Sequence, residues 1–558
     1  MQIVIPMSGF GERFRRLGYR VPKPLIEIDG KPIIAHVIDM FPGETDFIFI
    51  CNQEHLDTVE FRMRELLNHF CPTGKIIGIA PHKLGPVNAV LQVLDQIDPV
   101  KPTIVNYCDF TCVWDYQDFK SFVKETACDG AIPCYTGFHP HMLNSSYYAY
   151  VREEHGRITD IQEKQPYTDT PMNEFASSGT HYFASGSMVH EYFKRTMKRP
   201  DLLIGGEHYV SLVFKPMLED DLKIAVYELN HFMQWGVPQD FEEYRYWSNA
   251  FRGLVNPERQ ATGKKKAGTA MVPMAGLGSR FAQENYPLPK PLIPVSGEAM
   301  AVQATHDLPA MQDYVFVLRK DLPGHAQITD TLKNKFDECK IIDLAELTDG
   351  QARTCIAGAR EINPDHVLTI GACDNGAIYD QSAFDELLEN PEVDVIVWVA
   401  RAYPGAVRRP HQSGWVEEKD GRVISVTGKQ ALNDPQHDPC LIGWFTFKRA
   451  GNFVAAAEAL FARDGRVNGE FYVDTCINDA IAMGLRCRIF EVEHYLCWGT
   501  PDDLRTFEYW QSCFHKWKTH PYSLENDTRV SKNALGALKT RYQMRQPERP
   551  DFADALAR

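Results

Sequence analysis

The sequence predicts an α/β protein built as two tandem copies of one domain, each an α/β sandwich around a largely parallel sheet. Three observations predict it. The stretch MSGFGERFRRLGYRVPKPLIEIDGKP (Met7 to Pro32) and the stretch MAGLGSRFAQENYPLPKPLIPVSGEA (Met274 to Ala299) share M, G, G, R, F, Y, P, K, P, L, I and G in the same places, 267 positions apart. Further pairs follow in the same order, their offset drifting to 265 and then 263: IVNYCDF with TIGACDN, ITDIQEKQ with VISVTGKQ, GGEHYVS with NGEFYVD, and HFMQWGVPQDFEEY with HYLCWGTPDDLRTF. Within each copy, apolar runs such as FIFIC, HVLTIGAC and VDVIVWVA alternate with helix-like stretches such as PVNAVLQVLDQI and QARTCIAGAREI, the pattern of strands and covering helices in turn.

Each part of this organisation has a reason. A chain of 558 residues exceeds the roughly 250–300 residues at which one core stops growing, so two domains are expected, 1–255 and 269–519. Between them NPERQATGKKKAG, 256–268, reads as a polar surface linker, and 520–558 reads as a polar, proline-interrupted tail. The drift of the offset by only four residues is what an old duplication with small loop changes leaves. In such sheets ligands sit at the carboxyl ends of strands, where the glycine loops follow the first strand of each copy.

Composition excludes several classes. A net charge of −15, with no Lys/Arg stripe, argues against nucleic-acid binding. No apolar run approaches the length of a membrane span, and QIVIPM begins a strand at once; a cytoplasmic protein without membrane or nucleic-acid partners is expected. The fourteen cysteines are scattered, so Cys108 and Cys112 read as reduced thiols rather than half of a zinc site. His139 and His141 read as loop residues for want of a third ligand.

The loop SGFGERF does not fit a dinucleotide fold, because the third glycine of G-x-G-x-x-G is Phe14 in one copy and Phe281 in the other; neither copy has a Walker loop. What stands there is G-x-G-x-R followed ten residues later by the lysine of PKPLI. Glycines let backbone N–H groups approach phosphate oxygens, Arg13 or Arg280 offers a planar fork, and Lys23 or Lys290 adds a point charge. Ser8, Gly9, Gly11 and Gly85 in the first copy, and Ala275, Gly276, Gly278, Gly350 and Gln351 in the second, are the expected nucleotide contacts.

With the Pro-Lys-Pro segment, a strand-end aspartate and a later lysine all present twice, the sequence resembles the sugar-1-phosphate nucleotidyltransferases, which join an NTP to a sugar phosphate and release pyrophosphate. The resemblance runs through each half from the first strand to the WG-x-P segment. It implies a Rossmann-like α/β/α sandwich with a mixed, mostly parallel sheet. It implies triphosphate binding by Arg13 and Lys23, Mg²⁺ on Asp109, sugar-phosphate contact by Glu163 and Lys164, and a sugar contact by Glu207. In the second copy the same roles fall on Arg280, Lys290, Asp374, Lys429 and Glu470. The implied partners are an NTP and a sugar-1-phosphate or similar small phosphate, the implied use is surface-glycan synthesis, and homo-oligomerisation stays open.

The pattern departs from the family at one place, and the copies differ from each other at two more. The second metal carboxylate is replaced by Gln234 and Cys497, so either one aspartate with the phosphates and waters suffices or another carboxylate, Asp240 or Asp502, moves in. Glu163 becomes Gly428 in the second copy, and KLGPVNA becomes TDGQART. The halves are therefore expected to differ in ligand, either as two active sites or as one catalytic and one regulatory site. The base is open, and cytidylyl transfer to a non-sugar phosphate or phosphonate remains an alternative.

Overall fold

The computed structural model describes residues 1–256 and 265–543. These form two compact units, one drawn mainly from Met1–Arg245 and one mainly from Tyr246–Arg541.

The first unit is organised by ten strands: β1 (Gln2–Met7), β2 (Asp46–Asn52), β3 (Lys75–Ile79), β4 (Thr103–Asn106), β5 (Gly130–Tyr135), β6 (Ala149–Glu154), β7 (Arg157–Glu163), β8 (Phe175–Ser177), β9 (Thr180–Phe183) and β10 (Ile224–Glu228). Their order across the sheet is β3-β2-β1-β4-β9-β5-β10-β7-β6-β8. Pairing is parallel through β3-β2-β1-β4 and between β5 and β10, and antiparallel at β9, β7, β6 and β8. The parallel half holds the glycine loop. All six residues of β1 are buried, as an apolar run in a sheet covered on both faces should be. Val87, Val189, Phe193 and Phe214 pack from helices onto one face, together with Phe183 of β9. Its neighbour Tyr182 points the other way and meets Phe119 of helix Tyr116–Thr126 at 6.1 Å between ring centroids, the alternation a strand imposes.

The second unit repeats the plan with β11 (Lys266–Pro273), β12 (Met311–Arg319), β13 (Lys340–Leu344), β14 (Leu368–Ile370), β15 (Val395–Ala400), β16 (Trp415–Lys419), β17 (Arg422–Thr427), β18 (Cys440–Phe447) and β19 (Cys487–Glu491). Their order is β13-β12-β11-β14-β18-β15-β19-β17-β16. Strand for strand this is the first unit's order, with the long β18 covering the positions of both β8 and β9. Each unit also has a small antiparallel ribbon after its strand-end aspartate, Phe110–Val113 with His231–Gln234 and Asn375–Ile378 with His494–Cys497.

Two boundaries differ from those drawn on the sequence. Of the expected linker 256–268, residues 257–264 lie outside the described residues, and Lys266–Gly268 already belong to β11, where Lys266 Nζ pairs with Asp385 at 2.7 Å. The expected polar tail is docked through its first two dozen residues: Tyr522, Leu524, Val530 and Leu538 are buried. The Tyr522 hydroxyl accepts from Gln511, which also donates to Ser296. Arg529 reaches the buried Asp307 at 3.0 Å and lies over the Trp498 ring. The sequence hid this because the segment's apolar residues are spaced singly among polar ones. Residues 544–558 lie outside the described residues.

Burial raises the Asp307 pKa to about 7, against the pull of Arg529, so the arginine is the partner that keeps this carboxylate tolerable. Arg529→Ala is expected to destabilise the second unit by about 3 kcal/mol, the scale for stranding one partner of a buried pair. The double change Asp307→Asn with Arg529→Met should recover more than half of that in urea unfolding.

Candidate active site

In each unit β1 or β11 runs straight into the glycine loop. Ser8 is buried at its base, and Gly11 adopts φ +62°, capping helix Glu12–Arg16. A Cβ at Gly11 would stand 3.6 Å from Lys23 Cβ, and one at Gly278, φ +63°, would stand 3.1 Å from Lys290 Cβ. A left-handed turn pressed against the next segment suits glycine. The Pro-Lys-Pro segment starts a short 3₁₀ turn, Lys23–Leu25 or Lys290–Leu292, which aims the lysine across the strand ends. Lys23 Nζ donates to Asp109 Oδ2 at 2.6 Å, and Lys290 Nζ to Asp374 Oδ2 at 2.5 Å and to the Gly499 carbonyl at 3.2 Å. Burial pulls both lysine pKa values down, but the adjacent carboxylates outweigh it and both end raised. Both ammonium groups stay charged at neutral pH.

A second loop closes the nucleotide side of the first unit. Gly85 sits at φ +87°, where a Cβ would fall 2.7 Å from the His208 carbonyl oxygen; Gly350, at φ +132°, would place one 2.4 Å from the backbone of Phe471. Backbone bonds lace these segments together: His208 N–H to Leu84 and Val87 N–H to His208 in the first unit, Phe471 N–H to Asp349 and Ala352 N–H to Phe471 in the second. In the first unit a cavity of 290 Å³ lies between Ser8, Gly9, Gly11, Lys23, Gly85 and Asp109.

Beyond the strand-end aspartate lies a second cavity of 340 Å³, which Arg13, Asp109, Glu163 and Lys164 line. Lys164 has φ +60°, and its Nζ donates to the Tyr209 hydroxyl at 2.5 Å. That hydroxyl donates to Glu207 Oε2 at 2.5 Å. Glu163 accepts from the Ser211 hydroxyl at 2.6 Å, and burial raises its pKa against that bond and Lys164. In the second unit Lys429, φ +55°, donates to Tyr472 at 3.2 Å, and Tyr472 to Glu470 at 2.6 Å. Arg280, Lys290, Gln351, Asp374 and Lys429 line one cavity of 310 Å³ there.

The structure thus brings the expected lysines, aspartates and arginines of each half to one groove, and it adds Tyr209 and Tyr472, which the sequence reading passed over. Their signal was present: GGEHYVS and NGEFYVD share the tyrosine two residues after the glutamate. Burial raises both phenol pKa values, with the glutamate bond adding to it, so each works as a neutral bridge between lysine and glutamate. Ala275 is buried and Gly276 has open space at its Cα.

His139 lies in the loop before a short 3₁₀ turn and His141 within that turn; both are buried against Tyr135, and burial takes the His139 pKa down to about 3. One reading is corrected. Asp502 does not stand where Asp240 does. Arg409 and Arg505 hold it, and Asp503 takes the matching place, 3.7 Å from the Cys497 sulfur. Burial, then Asp503 and Asp374, pushes the Cys497 thiol well up, so it stays neutral. All fourteen cysteines are free, as expected of reduced thiols. Among the described residues no three His, Cys, Asp or Glu side chains group as a metal cage, and no helix is long and apolar enough to cross a membrane.

Comparison with known proteins fits this groove. Residues 3–211 match the nucleotidyl transferase family profile. The match takes in most of the first unit, which is similar to that family over this stretch. It is 24% identical over 284 residues to the mannose-1-phosphate guanylyltransferase catalytic subunit beta of Dictyostelium discoideum, a match spanning 49% of this chain and 71% of that protein. It is 31% identical over 246 residues to the bifunctional protein GlmU of Methanocaldococcus jannaschii, covering 44% and 53%. Among solved structures, a nucleoside-diphosphate-sugar pyrophosphorylase from Vibrio cholerae is 20% identical, with a TM-score of 0.36 over 44% of this chain and 99% of that one.

The tyrosine bridge can be tested apart from the fold. In a Lys290→Ala background, Tyr209→Phe is expected to lower kcat/KM for the acceptor phosphate about tenfold, the scale of one lost hydrogen bond of about 1.4 kcal/mol, while KM for the nucleotide holds. A merely structural tyrosine would shift the melting temperature and both KM values together.

Proposed function

We propose that each unit transfers a nucleotidyl group from an NTP to a sugar-1-phosphate or a similar small phosphate and releases pyrophosphate. The observation that carries the reading is the Lys-Asp pair standing between the glycine loop and the Lys-Tyr-Glu bridge, found in both units. A groove with cations on both sides of one carboxylate suits two phosphate-bearing reactants meeting end to end.

The chemistry asks little of the protein beyond position and charge. A phosphomonoester is already anionic near neutral pH, so its oxygen attacks the α-phosphorus in line while pyrophosphate leaves, and no general base is needed. Loop N–H groups, Arg13 and Lys23 hold the triphosphate and take up the charge that develops on the leaving group. Lys164, set by Tyr209, holds the acceptor phosphate, and Glu207 and Glu163 accept from acceptor hydroxyls. In the second unit Arg280, Lys290, Lys429, Tyr472 and Glu470 take the corresponding parts.

Asp109 and Asp374 fit a Mg²⁺ ion in donor type: each is a hard oxygen ligand beside the phosphate loop, and Mg²⁺ commonly takes one or two carboxylates together with substrate phosphates. Cys497 does not fit, being neutral and soft. Bound there, the ion would supply charge neutralisation to the triphosphate. Retention of the lysines, aspartate and tyrosine bridge in the second unit favours two transferase sites over one site with a sensor, and supports reading the halves as a duplication. The activated product is a donor for glycosyl transfer, and surface-glycan assembly is the destination we propose for it.

Pyrophosphate release with ATP, GTP, CTP, UTP and dTTP, against pooled sugar-1-phosphates and alcohol phosphates, tests this. Lys23→Ala and Lys290→Ala should each remove a different substrate pair, with turnover falling about 10²–10³-fold. One variant abolishing every activity while the other only shifts affinity would assign the second half to regulation. No release with any pair would end the reading.

A further inference from the structure

The acceptor cavities of the two units match wall for wall. Arg13, Asp109, Lys164 and Tyr209 in the first stand where Arg280, Asp374, Lys429 and Tyr472 stand in the second. Against that constant frame the remaining positions change together. The first unit's Leu143-Asn144 becomes Arg408-Arg409, at the same distance along the chain from the central strand, and both arginines line the second cavity. Tyr147 and Tyr148, which line the first cavity, become Gln412 and Ser413, removing two rings.

The carboxylates also rearrange. Glu163 and Ser211, bonded to each other in the first unit, become Gly428 and Asp474, so the acid leaves the strand end and reappears at the neighbouring position of Ser211. A Cβ at Gly428 would meet Val467 at 3.2 Å, and one at Gly414 would meet Asp474 Oδ2 at 3.1 Å, which places the relocated acid against the strand that Gly414 precedes. Burial raises Asp474 to about 6, against its backbone bonds and Lys429.

The charge balance shifts accordingly. In the first unit Arg13, Lys164 and Lys23, the last held on Asp109, face Asp109, Glu163 and Asp240. In the second, Arg280, Lys290, Arg408, Arg409 and Lys429 face four carboxylates. One of these, Asp502, is already shared between Arg409 and Arg505.

We propose that the second unit takes an acceptor phosphate carrying a further anionic group, a carboxylate or second phosphate, which Arg408 and Arg409 receive, while the first unit takes a neutral polyhydroxylated phosphate. Asp474 then accepts from an acceptor hydroxyl in place of Glu163. This rests on the reading of both units as nucleotidyltransferases. Guanidinium forks match carboxylate and phosphate oxygens two by two and carry five N–H donors each, so Arg409 can hold Asp502 and a ligand anion together.

The test uses the full chain with Lys23→Ala, which silences the first unit. Its probes are the 1-phosphates of glucose, mannose and galactose against the matching uronate 1-phosphates and 1,6-bisphosphates. The second unit is expected to favour at least one anion-bearing probe over its neutral parent by about tenfold or more in kcat/KM, the scale of a charged hydrogen bond. Arg408→Gln with Arg409→Gln should erase that preference and leave the neutral probes within about threefold, whereas Arg408→Lys with Arg409→Lys, which keeps the charge and guards against loss of folding, should retain part of it. A preference for neutral probes, or an equal loss on both classes in the Gln variant, would overturn the proposal. If no probe is turned over even by wild type, the transferase reading fails on its own. Calorimetric binding of the same probes then decides the cavity's preference: dependence on the two arginines upholds it, and independence from them ends it.

Discussion

In each unit a lysine from the proline-flanked turn and an aspartate from the end of the fourth strand of the sheet meet at hydrogen-bonding distance. The rest of the groove is arranged around that contact. The lysine can cross the strand ends only because the glycine loop turns left-handed beneath it, leaving no Cβ in its way. The aspartate sits where it does because it links a buried central strand to the small ribbon that closes the groove, and its carbonyl receives the Trp235 or Trp498 N–H. Burying an ammonium group is tolerable only with such a partner, so the pair both organises the empty groove and keeps a positive charge ready for phosphate.

Much of this was legible in the sequence because the chain prints its pattern twice. A single G-x-G-x-R loop is ambiguous, but the recurrence of Lys23 as Lys290, Asp109 as Asp374 and Lys164 as Lys429 filtered chance resemblance out. The α/β sandwich followed from the alternation of apolar runs and helices, although antiparallel strands such as β9 carry no signature that separates them from parallel ones. What escaped was contact made by single residues. Tyr209 lay inside a quoted repeat, yet nothing in a one-dimensional pattern says that a phenol will bridge a lysine at 164 and a glutamate at 207. Arg529 was hidden for the same reason, its partner Asp307 lying more than two hundred residues upstream. His139 and His141 read as loop residues in a Pro-containing segment, and only the surrounding rings reveal that they are buried packing.

In the proposed reaction the copies keep what handles phosphate and vary what surrounds the rest of the acceptor. Phosphate has one shape and a fixed charge, so the residues that meet it have little freedom. The wall formed by 143–148 in one half and 408–413 in the other meets a part of the substrate that differs from molecule to molecule. Moving a carboxylate from the strand end to the neighbouring position of Ser211, as Glu163 and Asp474 do, leaves the lysine and the tyrosine bridge in place.

Gly85 and Gly350 lie against the peptide that follows the acceptor-side glutamate, close enough that no side chain fits between. In the proposed reaction the segment on the nucleotide side and the segment on the acceptor side therefore share one stretch of backbone and behave as a single wall with two faces. Specificity in this scaffold is then not modular: exchanging either loop with that of another protein disturbs the reading of the other substrate, and new donor-acceptor pairings call for the replacement of both segments as a unit.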